Sequence, residues 1–272
     1  MRARLALPLL LLSLGCSTGG APPDTDAGAA ADAGATADAG ATADAGATAD
    51  AGAAADAGAT ADAGTAAEDA GTAADAGPAP VTAAELLAAT AACTPVQGSG
   101  LYSTDQGEAA TIPVCQLRGA VFWRADLDVD CDGGRTQVCR RDPSYQAETS
   151  ATDSMGAPLD AETVPFVVVP LPSARFSYRT AGLHLGSVIA VIYNGKVEFG
   201  VFGDEGPSSI IGEASHRMAE LLGIDPDPIV GGVDDGVTYV AFTGLGAVVT
   251  KNEDHAEAAA LGETLARALV GR

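Results

Sequence analysis

The side chains in this sequence that could do chemistry are carboxylates, and they fall in two groups. The first is Ala125-Asp126-Leu127-Asp128-Val129-Asp130-Cys131-Asp132-Gly133. On a β-strand successive side chains point to opposite faces, so Asp126, Asp128, Asp130 and Asp132 share one face while Leu127 and Val129 turn to the core. Four carboxylates on one face repel each other unless something cationic lies between them. Substrate ammonium groups are one candidate and a metal is another. Asp128-x-Asp130-x-Asp132-Gly133 opens like a calcium loop, but its twelfth position is Cys139, where such loops carry glutamate. A solvated strand face is the plain alternative.

The second group is Phe199-Gly-Val-Phe-Gly-Asp-Glu-Gly-Pro207 followed by Ile211-Gly-Glu-Ala-Ser215. A strand here runs into a Gly-Pro turn carrying Asp204 and Glu205, and a third acid, Glu213, precedes a helix. Asp204 and Glu213 are separated by a turn, which can bring their carboxyls to opposite sides of one cleft. Cleaving a glycosidic bond needs such a pair, one protonated to assist the leaving oxygen and one ionised to activate water or attack. By spacing alone, Glu213 could equally serve only to stabilise the helix N-terminus. Alternation turns Glu205 away from Asp204.

Short strands must position these groups. Ala120 to Trp123, Ala125 to Asp130, Phe166 to Val169, Val188 to Tyr193, Val197 to Phe202, Val237 to Phe242 and Ala247 to Val249 all carry β signals. Asn194-Gly195 fits a two-residue hairpin turn. Helices are expected at Thr82-Ala-Ala-Glu85, which has the form of a capping box, at Ala214 to Leu222, and at Asp254 to Leu269. The fold class is therefore mainly β, closed into a barrel or sandwich, with a few short helices.

That domain spans 81–272. Before it, 17–80 repeats a unit close to Ala-Asp-Ala-Gly-Ala-Thr, with aspartate every six residues from Asp26 to Asp62. No large side chain occurs there to offset the entropy of ordering, so a soluble, extended tether is expected. Residues 1–16 have the form of an export signal: Arg2 and Arg4, an apolar stretch from Leu5 to Leu14, then Leu14-Gly15-Cys16, similar to a lipoprotein cleavage site with Cys16 as the lipidated residue. An ordinary cleaved signal is the alternative. The expected location is secreted or cell-surface, on an outer membrane, with the lipid as the only membrane contact.

Cys93, Cys115, Cys131 and Cys139 remain, and in an exported domain they suggest two disulfides with three possible pairings. Pairing Cys93 with Cys115 and Cys131 with Cys139 closes the shorter loops. No Cys-x-x-Cys pair occurs and His184, His216 and His255 are scattered, which argues against zinc. The chain carries a formal net charge of −22, and 25 of its 36 acidic residues follow residue 80 against 12 of its 14 basic ones. Such a surface repels nucleic acid and attracts cations.

Two segments carry a family resemblance. Pro113-Val-Cys-Gln-Leu-Arg-Gly-Ala-Val-Phe-Trp-Arg-Ala-Asp-Leu-Asp-Val-Asp-Cys-Asp-Gly133 resembles the signature of the family 75 chitosanases. So does Ala190-Val-Ile-Tyr-Asn-Gly-Lys-Val-Glu-Phe-Gly-Val-Phe-Gly-Asp-Glu-Gly-Pro207 with Ile211-Gly-Glu-Ala-Ser215. The resemblance implies endo-hydrolysis of chitosan with inversion, by an enzyme that needs no cofactor, and it places the catalytic pair at Asp204 and Glu213. Fungal members more often have threonine, asparagine and glycine where this chain has Glu205-Gly206-Pro207. Asp-x-Gly-Pro, followed by an acid ahead of serine and a short helix, is also similar to the double-psi β-barrels. Expansins and some peptidoglycan transglycosylases share that barrel, so a non-hydrolytic polysaccharide binder or a lytic transglycosylase is the rival function. Asp126, Asp128, Asp130 and Glu205 are the candidate contacts to the cationic polysaccharide, Tyr193, Phe202 and Trp123 are candidates for stacking on sugar rings, and a monomer is expected.

Overall fold

The computed structural model describes residues 79–272. The expected signal segment, Cys16 and the repeat up to residue 78 lie outside the described residues. In chain order the elements are α1 (Ala83–Ala89), β1 (Leu101–Tyr102), β2 (Ile112–Pro113), β3 (Cys115–Leu117), β4 (Ala120–Asp130), α2 (Gln137–Arg140), β5 (Phe166–Pro170), α3 (Tyr178–Ala181), β6 (Val188–Tyr193), β7 (Lys196–Gly206), β8 (Glu213–Ser215), α4 (His216–Leu222), β9 (Val233–Phe242) and α5 (His255–Val270). No described helix is long and apolar enough to cross a membrane.

Six strands close into a ring in the order β4-β8-β5-β7-β6-β9, with β9 pairing back onto β4. Two contacts in the ring are parallel, β4 with β8 and β5 with β7; the others are antiparallel. The domain is thus a closed, mainly β barrel with few short helices, as its strand pattern predicts.

Period-2 alternation sorts its side chains into two apolar clusters. One draws on all six barrel strands, with Trp123, Leu127, Val167, Val191, Phe202, Ala214 and Tyr239 among its members, and fills the barrel together with residues of α4. The other takes the alternate residues, such as Phe122, Phe166, Val168, Ala190, Val201 and Val240, and is covered by α5. Because an aliphatic strand residue contributes on the order of 1.5–3 kcal/mol when buried, these two layers dominate the stability of the barrel.

Local signals behave as expected at several places. Thr82 and Glu85 form the full capping box of α1. Asn194 and Gly195 both take positive φ, 46° and 80°, as the tight turn between β6 and β7 requires. The disulfides join Cys93 to Cys115 and Cys131 to Cys139.

Four expectations need correction. Ala247 to Val249 is no strand: Leu245–Ala247 is a single 3-10 turn, and nearby only Val248 bridges to Ser187. Ala120 to Trp123 and Ala125 to Asp130 are one strand, whose register to β9 shifts between Ala125 and Leu127 because β9 carries extra residues there. Strand β7 runs on to Gly206, so Asp204 and Glu205 lie on a strand and not in a turn. Glu213 lies on β8, and the cap of α4 is Ser215, whose hydroxyl accepts from the Met218 N–H.

Candidate active site

The barrel registers place the acids in a row. Asp204 on β7 pairs with Val168 on β5. Val167 pairs with Ala214 in antiparallel sense, which sets Glu213 opposite Val168. Glu213 in turn pairs with Asp128 on β4. Residues in register on neighbouring strands point to the same face, so Asp204, Val168, Glu213 and Asp128 cross four strands side by side on the face opposite the barrel core. All four line a single cleft of about 740 Å³, together with Asp130, Asp132, Glu205, Gly206, Pro207 and Ile210.

Asp204 is only 7% exposed but well provided with donors. Its Oδ1 accepts from the Ser150 N–H at 2.8 Å, the Ser150 hydroxyl at 2.6 Å and the Glu205 N–H at 2.7 Å. Burial raises its pKa, while those bonds favour the charged form and work against the rise. Glu213 has no such support. Burial first, then the fields of Asp128, Asp132 and Asp204, push it up to about 7. Its neighbour across the cleft floor is Gly206: a Cβ there would stand 2.9 Å from Glu213 Oε2 and 2.8 Å from Val168 Cγ1, so glycine at this position leaves room for the carboxyl.

The remaining acids divide. One carboxylate oxygen each from Asp130, Asp132 and Asp204 lies within 4.8 Å of the others. Asp132 is fixed by the Gln146 N–H at 2.6 Å and side chain at 3.1 Å, and Asp130 accepts from the Asp132 N–H at 2.7 Å. Burial raises Asp132 to about 6 and Asp130 well above the ordinary carboxylate range. A second set, Asp105, Asp126 and Asp128, clusters equally tightly. The structure therefore does not form a calcium loop from Asp128, Asp130 and Asp132; it splits that run between two clusters.

Several expected contacts are not brought to the cleft. Asp126 shares the strand face of Asp128, since Ala125, Leu127 and Val129 all turn to the barrel core, but it is 3% exposed beneath Gly212 and does not line the cleft. Phe202 is fully buried in the barrel, edge-on to Tyr178, and cannot stack on a sugar. Trp123 is buried likewise, stacked on Tyr239 with ring centroids 5.2 Å apart. Tyr193 is half-buried beside the β6–β7 turn and packs on the barrel core. Glu205 borders the cleft, but as alternation expects its carboxylate turns away from Asp204: it accepts from the Tyr178 hydroxyl and stands 3.9 Å from Arg179, neither of which lines the cleft, so it is not brought there as a sugar contact.

Ser150, Gln146 and Gly206 were not legible as site residues. Ser150 reaches Asp204 from a loop 54 positions away, with no motif of its own. Gly206 carries a readable sign, a glycine two places after an acid on the same strand face.

The family described as fungal chitosanase of glycosyl hydrolase group 75 matches residues 127–268. Endo-chitosanase B of Aspergillus oryzae is 33% identical over 178 residues, covering 58% of this chain and 74% of that protein. An endo-chitosanase of Aspergillus fumigatus is 30% identical over 180 residues, covering 57% and 72%. Among solved structures, Streptomyces papain inhibitor (SPI) aligns at 17% identity and a TM-score of 0.27 over 49% of this chain and 99% of that one, too low a score to build on.

Proposed function

We propose, from the premise that the chain belongs to the fungal chitosanase family of glycosyl hydrolase group 75, that its acidic cleft hydrolyses β-1,4 bonds within chitosan, with inversion, through Asp204 and Glu213. The observation that carries this reading is the row across β7, β5 and β8. Two interstrand spacings separate the backbones of Asp204 and Glu213, about 9.5 Å, with Val168 between them. Inverting enzymes admit a water between carboxyls roughly 6.5–9.5 Å apart, and side chains rising from backbones two strands apart can leave that room. A non-hydrolytic binder, or a lytic transglycosylase, needs only one acid, so the facing pair favours hydrolysis.

The environments divide the roles. Glu213, raised by burial and by neighbouring carboxylates, holds its proton and gives it to the glycosidic oxygen as the C1–O bond breaks. Asp204, ionised and held by three donors, takes a proton from the water that attacks C1 from the opposite face. Exchange with solvent returns both groups to their starting states. No cofactor enters. Asp128, beyond Glu213 in the row, offers negative charge to the ammonium groups of the polymer, and Asp130 lines the cleft beside it as a further oxygen acceptor. The two disulfides suit an oxidising, extracellular compartment. Lipidation at Cys16 and action as a monomer complete the proposal.

Cleavage of a glucosamine oligomer followed by proton NMR tests it. The new reducing end should appear first as the α-anomer. Glu213→Gln and Asp204→Asn should each lower turnover roughly 10²–10⁴-fold while oligomer binding and folding persist, and Glu205→Gln should stay active. A β-anomer first, or near-parent turnover by Glu213→Gln, refutes the two-carboxylate inverting mechanism.

A further inference from the structure

Of the cluster of Asp105, Asp126 and Asp128, only Asp128 has a place in the mechanism above, as a contact to the polymer. Asp126 is the cluster's anomaly. The residue is 3% exposed, its carboxylate accepts no hydrogen bond from any other described residue, and its Oδ1 is wholly buried without a partner. The Tyr239 hydroxyl on β9 donates at 2.8 Å to the Asp126 backbone carbonyl and not to its carboxylate. Gly212 presses against the same group: its φ of 129° and missing side chain leave the space that Oδ1 occupies, since a Cβ there would stand 1.8 Å from it. A buried carboxylate without donors is costly unless a proton or a cation balances it.

The other two carboxyls point the same way. Asp128 extends from β4 two residues on, and Asp105 comes from the exposed turn between β1 and β2, and one oxygen from each of the three lies within 4.8 Å of the others. No lysine or arginine forms an ion pair with any of them among the described residues. Three oxygens from separate segments, converging on a buried and unpartnered one, form the donor set of a hard cation.

We propose that Asp105, Asp126 and Asp128 bind a divalent cation of the calcium class, which ties the β1–β2 turn to β4 at the edge of the cleft. Oxygen ligands and an open, water-accessible side at Asp105 suit calcium better than magnesium, which demands a tighter octahedron, or zinc, which prefers nitrogen and sulfur. One oxygen of Asp128 suffices for the ion, so its second remains available to the cleft.

The test uses the purified full chain, stripped with a chelator and exchanged into chelator-free buffer. Calorimetric titration with calcium chloride should show one saturable site per chain with a dissociation constant at or below roughly 1 mM, the range of extracellular calcium modules, and the melting temperature should rise with calcium more than with magnesium. Asp105→Asn, on an exposed turn and safe for folding, should weaken binding by about tenfold or more. Asp126→Asn should also weaken it, whereas Asp132→Asn, in the neighbouring cluster, should bind as the parent does. The proposal fails if no saturable heat appears at about ten times the upper limit of that range. It fails equally if Asp105→Asn and Asp126→Asn bind calcium as the parent does, if Asp132→Asn abolishes binding, or if glucosamine displaces calcium at matching concentrations, which would make the site one for sugar ammonium. None of these readouts depends on turnover, so a failed mechanism and a failed ion site are distinguishable.

Discussion

Ser150→Ala probes the division of labour between the two carboxyls more sharply than their own replacement does. The Ser150 hydroxyl donates to Asp204 Oδ1 at 2.6 Å and accepts from the Glu205 N–H at 3.1 Å. A hydrogen bond to a charged group contributes about 1.5–3 kcal/mol to the charged form. Ser150 itself is exposed, so water replaces part of the loss, and the lower figure applies. One pKa unit corresponds to about 1.4 kcal/mol, so the Asp204 pKa should rise by roughly one unit. If Asp204 is the base, it must be ionised to act. The acidic limb of kcat/KM against pH should then move up by about one unit, while the alkaline limb, set by loss of the Glu213 proton, stays where it is. The assay is reducing-end release from a soluble glucosamine oligomer over the pH range, with the melting temperature as a control for folding. An unmoved acidic limb in a folded variant, or movement of the alkaline limb alone, means that Asp204 is not the base.

Two further outcomes follow from the same geometry. Gly206→Ala places a Cβ 2.9 Å from Glu213 Oε2 and 2.8 Å from Val168 Cγ1. The carboxyl must shift by several tenths of an ångström or more, and kcat should fall by up to about 10²-fold with the fold retained; an unchanged kcat contradicts the placement of Glu213. Stability should also respond to pH. Asp128 and Asp132 titrate at about 6 and Glu213 at about 7 in the folded chain, all raised by burial and like charge above the ordinary values of 3.8 and 4.5. The folded state then binds more protons than the unfolded one between about pH 4 and 7, so stability is greatest at the acidic end and declines as pH rises through that window. Calorimetry of chelator-treated protein should show the melting temperature falling from about pH 4.5 to 8; a steady rise over that range contradicts the crowding of carboxyls.

Much of the barrel was legible because strands announce themselves by alternation and β-branched runs. Val188 to Tyr193 and the Asn194-Gly195 turn are where they were expected, and the shorter-loop disulfides are those formed. The misses have particular causes. Alternation does set Asp126 on the face of Asp128, but a run of aspartates does not show that Asp126 lies buried beneath Gly212 and beside Asp105. Phe202 has the composition of a sugar platform and the register of a core residue, and only the register decides. Strand β7 outlasts its expected end because local composition is no guide there: Glu205-Gly206-Pro207 reads as a turn, yet Glu205 and Gly206 still pair with Val169 and Pro170. Ser150 belongs to a loop whose approach to Asp204 depends on the whole chain.

The row of Asp204, Val168, Glu213 and Asp128 also acts as a ruler. Each step along it is the width of one backbone ladder, and that width is the same whatever side chains the strands carry. The span between the proposed acid and base is therefore set first by whole strands. Replacing Val168 alters the floor of the cleft without bringing its walls together, and longer or shorter carboxyl side chains adjust the gap only within one step. Bringing the two backbones closer by a full step would take removal of the intervening strand or a slide of register, a change that no single substitution makes.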